Sequence, residues 1–198
     1  LLALDAAITA ATAIKPAAIA ITGKPFIFAA GADLSALSFI TNREQSLGIG
    51  KLGHDVFRRL GESSIPTFAF INGLALGGGL EVGLHCHYRT LASTAFTGLP
   101  EVFLGLVPGW GGATILPKLI GPERAVQVIM LNALNNNTMM KAKDAFKLGV
   151  VDAVYEPSDF LERSIAFAAS VLNGATKIER KDYSQDPAWE SALATGKA

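Results

Sequence analysis

Cysteine is nearly missing from this 198-residue chain: Cys86 stands alone, so no disulfide can close within it, and a reducing, cytoplasmic setting is the expectation. Charge is scarce as well. Charged residues make up 17% of the chain, and 17 cationic and 17 anionic side chains cancel to a formal net charge of zero. That balance argues against nucleic acid or an anionic membrane surface as a partner. No stretch reads as a membrane span. The longest uncharged run, residues 63–80, is broken by Ser63, Ser64, Pro66, Asn72 and four glycines. No basic segment followed by a cleavage site opens the chain, so no secretory signal is read.

What is present is apolar. Half of the residues are hydrophobic, enough for a generous core in one large domain over residues 1–172. An apolar chain without net charge is also expected to associate with copies of itself. The opening LLALDAAITAATAI reads as the middle of a helix, which leads us to expect an opening strand or two upstream. Residues 173–198 are more polar and lose periodicity, as a mobile tail or the start of a linker would.

Strands and helices alternate, the pattern of an α/β domain. Helices are expected over residues 1–12 and over 43–60, where Leu47, Leu52, Val56, Phe57 and Leu60 recur at close to helical spacing. Ala17–Thr22, Phe26–Ala29 and Ile65–Ile71 read as short buried strands. A further helix should start within Gly77–Gly79 and run through Cys86, and a strand or turn region should start at Leu91. Pro122 suits the first position of a helix continuing over Ala125–Ala133. Thr138 is expected to cap a helix ending at Gly149, Val150–Val154 to form a strand, and Ser158 to cap a last helix to about Leu172.

The chemistry gathers between Ile71 and Gly112. Glu81 follows three consecutive glycines, and Glu101 sits between Leu99-Pro100 and Val102-Phe103-Leu104. A carboxylate in such apolar company is disfavoured as an ion, so its pKa should rise toward neutrality, where it can pass protons. Glycines at a helix start let backbone approach a ligand and leave N–H groups unpaired at the positive end of the dipole. That is a site for an anion or a developing oxyanion. Gly78 and Glu81, three residues apart, share one face of the first turn. A phosphate loop would need Gly-Lys-Ser/Thr where Leu80-Glu81 stands, so the nucleotide reading fails. The small residues Ala29 to Ala32 could present a second backbone amide.

FAAGADL, INGLALGGGLE, GLPEVFLGLVPGWGG and KAKDAFKLGVVDAVY, in this order and spacing, resemble the crotonase (enoyl-CoA hydratase/isomerase) superfamily from about Ala17 to Ala169. The resemblance implies a crotonase-like spiral of ββα units with C-terminal helices that support trimers or hexamers. It implies acyl-CoA as substrate, with coenzyme A part of the substrate and no separate cofactor. The oxyanion hole would be the amides of Ala32 and Gly78. Glu81 and Glu101 would be the catalytic pair that adds water to a 2-trans-enoyl-CoA, giving a 3-hydroxyacyl-CoA in fatty acid β-oxidation. Ala30, Asp33, Leu34, Gly77 and Trp110 would contact substrate. An isomerase would need only Glu101, and a non-catalytic acyl-CoA-binding or oligomeric module neither. The ending DPAWESALATGKA is similar to the stretch after the hydratase part of multifunctional β-oxidation enzymes, so a fused or partner 3-hydroxyacyl-CoA dehydrogenase is expected.

Simpler roles compete for several residues. Asp33 could cap a helix. Trp110 could line an acyl pocket or a subunit contact. His85-Cys86-His87 looks like a metal cluster, but adjacent residues on a helix diverge, so packing is the expectation. His54 is expected to be structural or solvated, and Lys24 could meet a CoA phosphate.

Overall fold

A computed structural model describes residues 1–33, 35, 39–185 and 189. Helix α1 (Leu2–Ala13) leads into β1 (Ile19–Thr22), β2 (Phe26–Ala29) and α2 (Arg43–Gly61). A second turn of the same kind follows: β3 (Thr67–Ile71), β4 (Gly73–Leu76) and α3 (Gly78–His85). Strands β5 (Tyr88–Ala92) and β6 (Phe96–Gly98) come next, then a 3₁₀ turn (Pro100–Leu104) and α4 (Gly112–Ile120). Helix α5 (Pro122–Val126) runs through a π-helical stretch (Gln127–Leu131) into α6 (Asn132–Leu134). Strand β7 (Met140–Lys141), α7 (Ala142–Leu148), β8 (Ala153–Tyr155) and α8 (Phe160–Leu172) follow.

The strands divide by order of appearance. In the three pairs β1/β2, β3/β4 and β5/β6 the first strand joins a parallel sheet, which β8 completes in the order β1-β3-β5-β8. The second joins another, β2-β4-β6-β7, in which β7 alone is antiparallel. Each ββα unit thus climbs one step of a spiral. Asn72, the single residue between β3 and β4, ties two steps together: its Oδ1 accepts from Gly23 N at 3.0 Å and its Nδ2 donates to Lys24 O at 2.6 Å.

All five residues of β3 are buried, which explains why the strand reads as a continuous apolar run instead of an alternating one. Phe68, Leu60, Ile71, Leu80 and Leu91 are fully buried in the core between sheet and helices. Helix α2 buries Gly53, Val56, Phe57 and Leu60, one stripe at helical spacing. Its start is capped by Asn42, whose side chain accepts from Gln45 N.

Several boundaries differ from the sequence reading. Leu47 and Leu52 are exposed, because the core stripe of α2 begins only at Gly53. Strand β4 was hidden inside a glycine-rich stretch. Thr138 does not cap α7: its hydroxyl donates to Asn135 O at 2.6 Å, and β7 intervenes before the helix begins after Lys141. Ser158 does not cap α8, which starts after Asp159 without a side-chain cap. The strand expected at Val150–Val154 lies at Ala153–Tyr155, and Gly149 ends α7 in the left-handed conformation, as its position suggested. Of the expected tail, residues 173–185 and 189 are described, and the rest lies outside the described residues.

Candidate active site

Helix α3 follows directly on β4 and packs against β2, β3 and β4. Its N-cap, Gly77, has φ +52°, a left-handed backbone that a side chain would strain. A Cβ on Gly77 would stand 2.7 Å from Glu101 Oε1, and one on Gly78 would stand 3.9 Å from Glu81 Oε2. The two carboxyl groups therefore border two successive residues of one backbone. As the first residue of α3, Gly78 has no intrahelical partner for its N–H. The loop after β2 meets the same spot, since a Cβ on Gly31 would lie 4.0 Å from Gly78 N.

Glu81 is 2% exposed, and its Oε1 accepts from Trp110 N and Gly112 N, each at 2.8 Å. Burial raises its pKa, and these two amides oppose the rise by stabilising the anion. Glu101 rides on the 3₁₀ turn and has fewer donors. Its Oε2 is buried without a hydrogen-bond partner among the described residues. Burial pushes its pKa up to about 7, its own backbone amide opposes, and the nearby Glu81 adds to the rise.

Trp110 sits half-buried between α2 and α3. Its ring meets Phe57 edge-on at 5.6 Å and fills the space over Gly53 and Gly78, so it borders the Gly78 amide. Ala30 and Ala32 lie exposed in the bend around Gly31. The Asp33 carboxylate accepts from Ser35 N at 3.0 Å and Ser35 Oγ at 2.7 Å, closing a local turn. Leu34 lies outside the described residues. Thus Glu81, Glu101, Gly77, Gly78 and Trp110 come together, with the Gly31 loop beside them.

The supposed histidine cluster splits. His87 Nδ1 accepts from Thr67 N at 3.0 Å, whereas His85 Nε2 donates to Trp110 O at 2.8 Å. Sequence reasoning missed that His85 and Gly112 belong to the surroundings of Glu81. The available signal was the four-residue spacing of Glu81 and His85 together with the PGWGG turn.

Parallel sheets wound from ββα turns, with one buried and one half-buried carboxyl at a glycine-capped helix start, define the class as crotonase-like. The chain belongs to the enoyl-CoA hydratase/isomerase family, whose profile matches residues 5–184. It is 40% identical over 161 residues to a fatty acid oxidation complex subunit alpha from Shewanella loihica, covering 80% of this chain and 22% of that one. A solved enoyl-CoA hydratase subunit I from Geobacillus kaustophilus superposes with a TM-score of 0.75 at 34% identity, over 85% of this chain and 64% of its own. An enoyl-CoA hydratase from Bacillus anthracis gives 0.74 at 31% identity, over 86% and 66%. The chain spans about a fifth of the length of its alpha-subunit relatives.

Proposed function

We propose that this chain adds water to 2-trans-enoyl-CoA thioesters, forming 3-hydroxyacyl-CoA in fatty acid β-oxidation. The observation that carries the reading is the carboxyl pair flanking successive glycines at the start of α3: Glu81, buried, and Glu101, half-buried with its Oε2 enclosed. The names of the relatives, fatty acid oxidation and enoyl-CoA hydratase, support it.

In this mechanism the amides of Ala32 and Gly78 hold the thioester oxygen as it gains charge, each worth roughly 3–4 kcal/mol in comparable sites. Glu81 takes a proton from the water that attacks C3, and Glu101 delivers a proton to C2. The protonation states follow from the donors. Two amides favour Glu81 as the anion, whereas Glu101, with an oxygen unpartnered among the described residues and a pKa of about 7, keeps the proton of the coupled pair. Ala30, Asp33, Gly77 and Trp110 contact the acyl-CoA. The reaction needs no cofactor besides the coenzyme A of the substrate. The chain acts in the cytoplasm as an oligomer, beside a 3-hydroxyacyl-CoA dehydrogenase that consumes its product. No described helix is long and apolar enough to cross a membrane.

One observation favours a second reading, a double-bond isomerase that uses Glu101 alone: Oε1 of Glu81 is taken up by two loop amides, a purely structural duty. Loss of the conjugated-enoyl absorbance of crotonyl-CoA separates the two. The hydratase reading expects Glu81→Gln and Glu101→Gln each to lose about 10²–10⁴-fold in kcat. Without hydration by the wild type, and with isomerisation of a 3-enoyl-CoA that survives Glu81→Gln, the second reading replaces the first.

A further inference from the structure

One helix holds the turn Gly109–Gly112 from two sides. The amides of Trp110 and Gly112 donate to Glu81 Oε1 at 2.8 Å, while the carbonyl of Trp110 accepts from His85 Nε2 at 2.8 Å. Glu81 and His85 are four residues apart on α3, so they lie on one face in successive turns. A carbonyl only accepts, so His85 Nε2 carries a proton. The fit leaves no slack. Gly111 has φ +131°, and a Cβ there would stand 2.4 Å from His85 Nε2, so the turn rests directly on the imidazole.

The ring is set in place from α2. Phe57 meets it edge-on at 6.0 Å and His54 at 6.1 Å, and Gly61 backs it. Burial keeps it neutral by lowering its pKa; the Trp110 carbonyl opposes, His54 reinforces and Glu62 opposes. A neutral donor holds the turn without setting a cation beside Glu81, which would weaken Glu81 as a base.

We propose that His85 is a positioning residue for Glu81: its Nε2–H pins the Trp110 peptide, so that the amides of residues 110 and 112 hold the Glu81 carboxylate in its reacting orientation. The proposal rests on the hydratase reading for its kinetic consequence, but its geometric consequence can be read without turnover.

The test compares the full chain with His85→Leu and His85→Gln. The glutamine Nε2 can reach the place of the imidazole Nε2 and donate to the same carbonyl. With crotonyl-CoA, His85→Leu is expected to lose about 10- to 100-fold in kcat with KM unchanged, the cost of a misplaced catalytic group. His85→Gln is expected to restore most of that loss. A folded His85→Leu as fast as the wild type overturns the proposal, as does a His85→Gln no faster than His85→Leu. If His85→Leu does not fold, His85→Asn, whose shorter amide falls short of the carbonyl, takes its place. Trp110 emission, isolated in a Trp189→Phe background, gives the second readout. It should shift to the red and be quenched more easily by acrylamide in His85→Leu but not in His85→Gln. If the wild type fails to hydrate crotonyl-CoA, the hydratase reading falls and the emission alone decides; identical spectra in all three proteins then overturn the positioning role.

Discussion

At Glu101, burial works against ionisation, the Glu81 carboxyl adds repulsion, and the pKa rises from the ordinary 4.5 to about 7. A carboxyl whose pKa is raised by folding holds its proton more tightly in the native state. Its contribution to stability is complete below about 4.5 and is lost as pH rises through about 7. Glu81 is raised too and acts with the same sign. Replacing Glu101 by glutamine removes the larger unpartnered titration. The melting temperature of Glu101→Gln relative to wild type should therefore climb between pH 5 and pH 8. A difference that stays flat over that range would mean that Glu101 titrates as an ordinary surface carboxyl. In the same way, kcat should fall above about pH 7 as Glu101 loses the proton that the proposed reaction has it deliver, which a pH–rate profile reads directly.

Between elements, the most consequential polar junction joins β5 to the start of β8 and the segment beyond α8. Arg89 is fully enclosed: its Nε donates to Val150 O at 2.9 Å and its Nη1 to Cys86 O at 2.6 Å. Asp152 accepts from the Arg89 backbone N at 2.7 Å, and Arg180 donates to both of its carboxylate oxygens at 2.7 Å. Arg180 also lies over the Tyr88 ring, 5.4 Å from its centre, so residues near 180 are fastened to the sheet edge. Burial lowers the Arg89 pKa to about 10, which leaves it cationic and dependent on Asp152 as its counter-charge. Removing one member of such a pair strands the other in a dry interior. Asp152→Ala is expected to lose about 3–5 kcal/mol in urea denaturation. A loss under about 1 kcal/mol would place the pair among exposed ion pairs of little worth.

On the scale of the whole molecule, the apolar composition surfaces as side chains without cover in this single chain. Phe103 and Leu104 on the 3₁₀ turn are exposed, as are Met130, Leu131 and Leu134, and the turn packs against the segment that carries these last three. The patch includes the turn that carries Glu101, so association through it would brace the carboxyl to which we assign the proton delivery. With no net charge to keep copies apart, the chain is expected to sediment as a multiple of 20.7 kDa. Leu131→Asp should shift that population toward the single chain and lower kcat with it. A wild type that sediments as a monomer at micromolar concentration would remove the expectation.

Much of this was written locally. The stripe Val56, Phe57, Leu60 specified the buried face of α2, the apolar run of β3 announced a strand covered on both sides, and glycines 77–79 marked where α3 begins. These signals need only neighbours a few residues apart, so sequence alone determines them. The family motifs likewise carried Glu81 and Glu101 to one site. Strand β4 escaped notice because Gly-Leu-Ala-Leu has no strand pattern of its own and gains one only by pairing with β2 and β6. The role of His85 was equally hidden, since its partner is a backbone carbonyl 25 residues away. The difference in surroundings from which we propose that Glu101 keeps the proton arises only in the tertiary structure. Burial pushes both pKa values up, but the amides that oppose it at Glu81 come from a distant turn, whereas Glu101 Oε2 has no hydrogen-bond partner among the described residues, and no local pattern of residues encodes that difference.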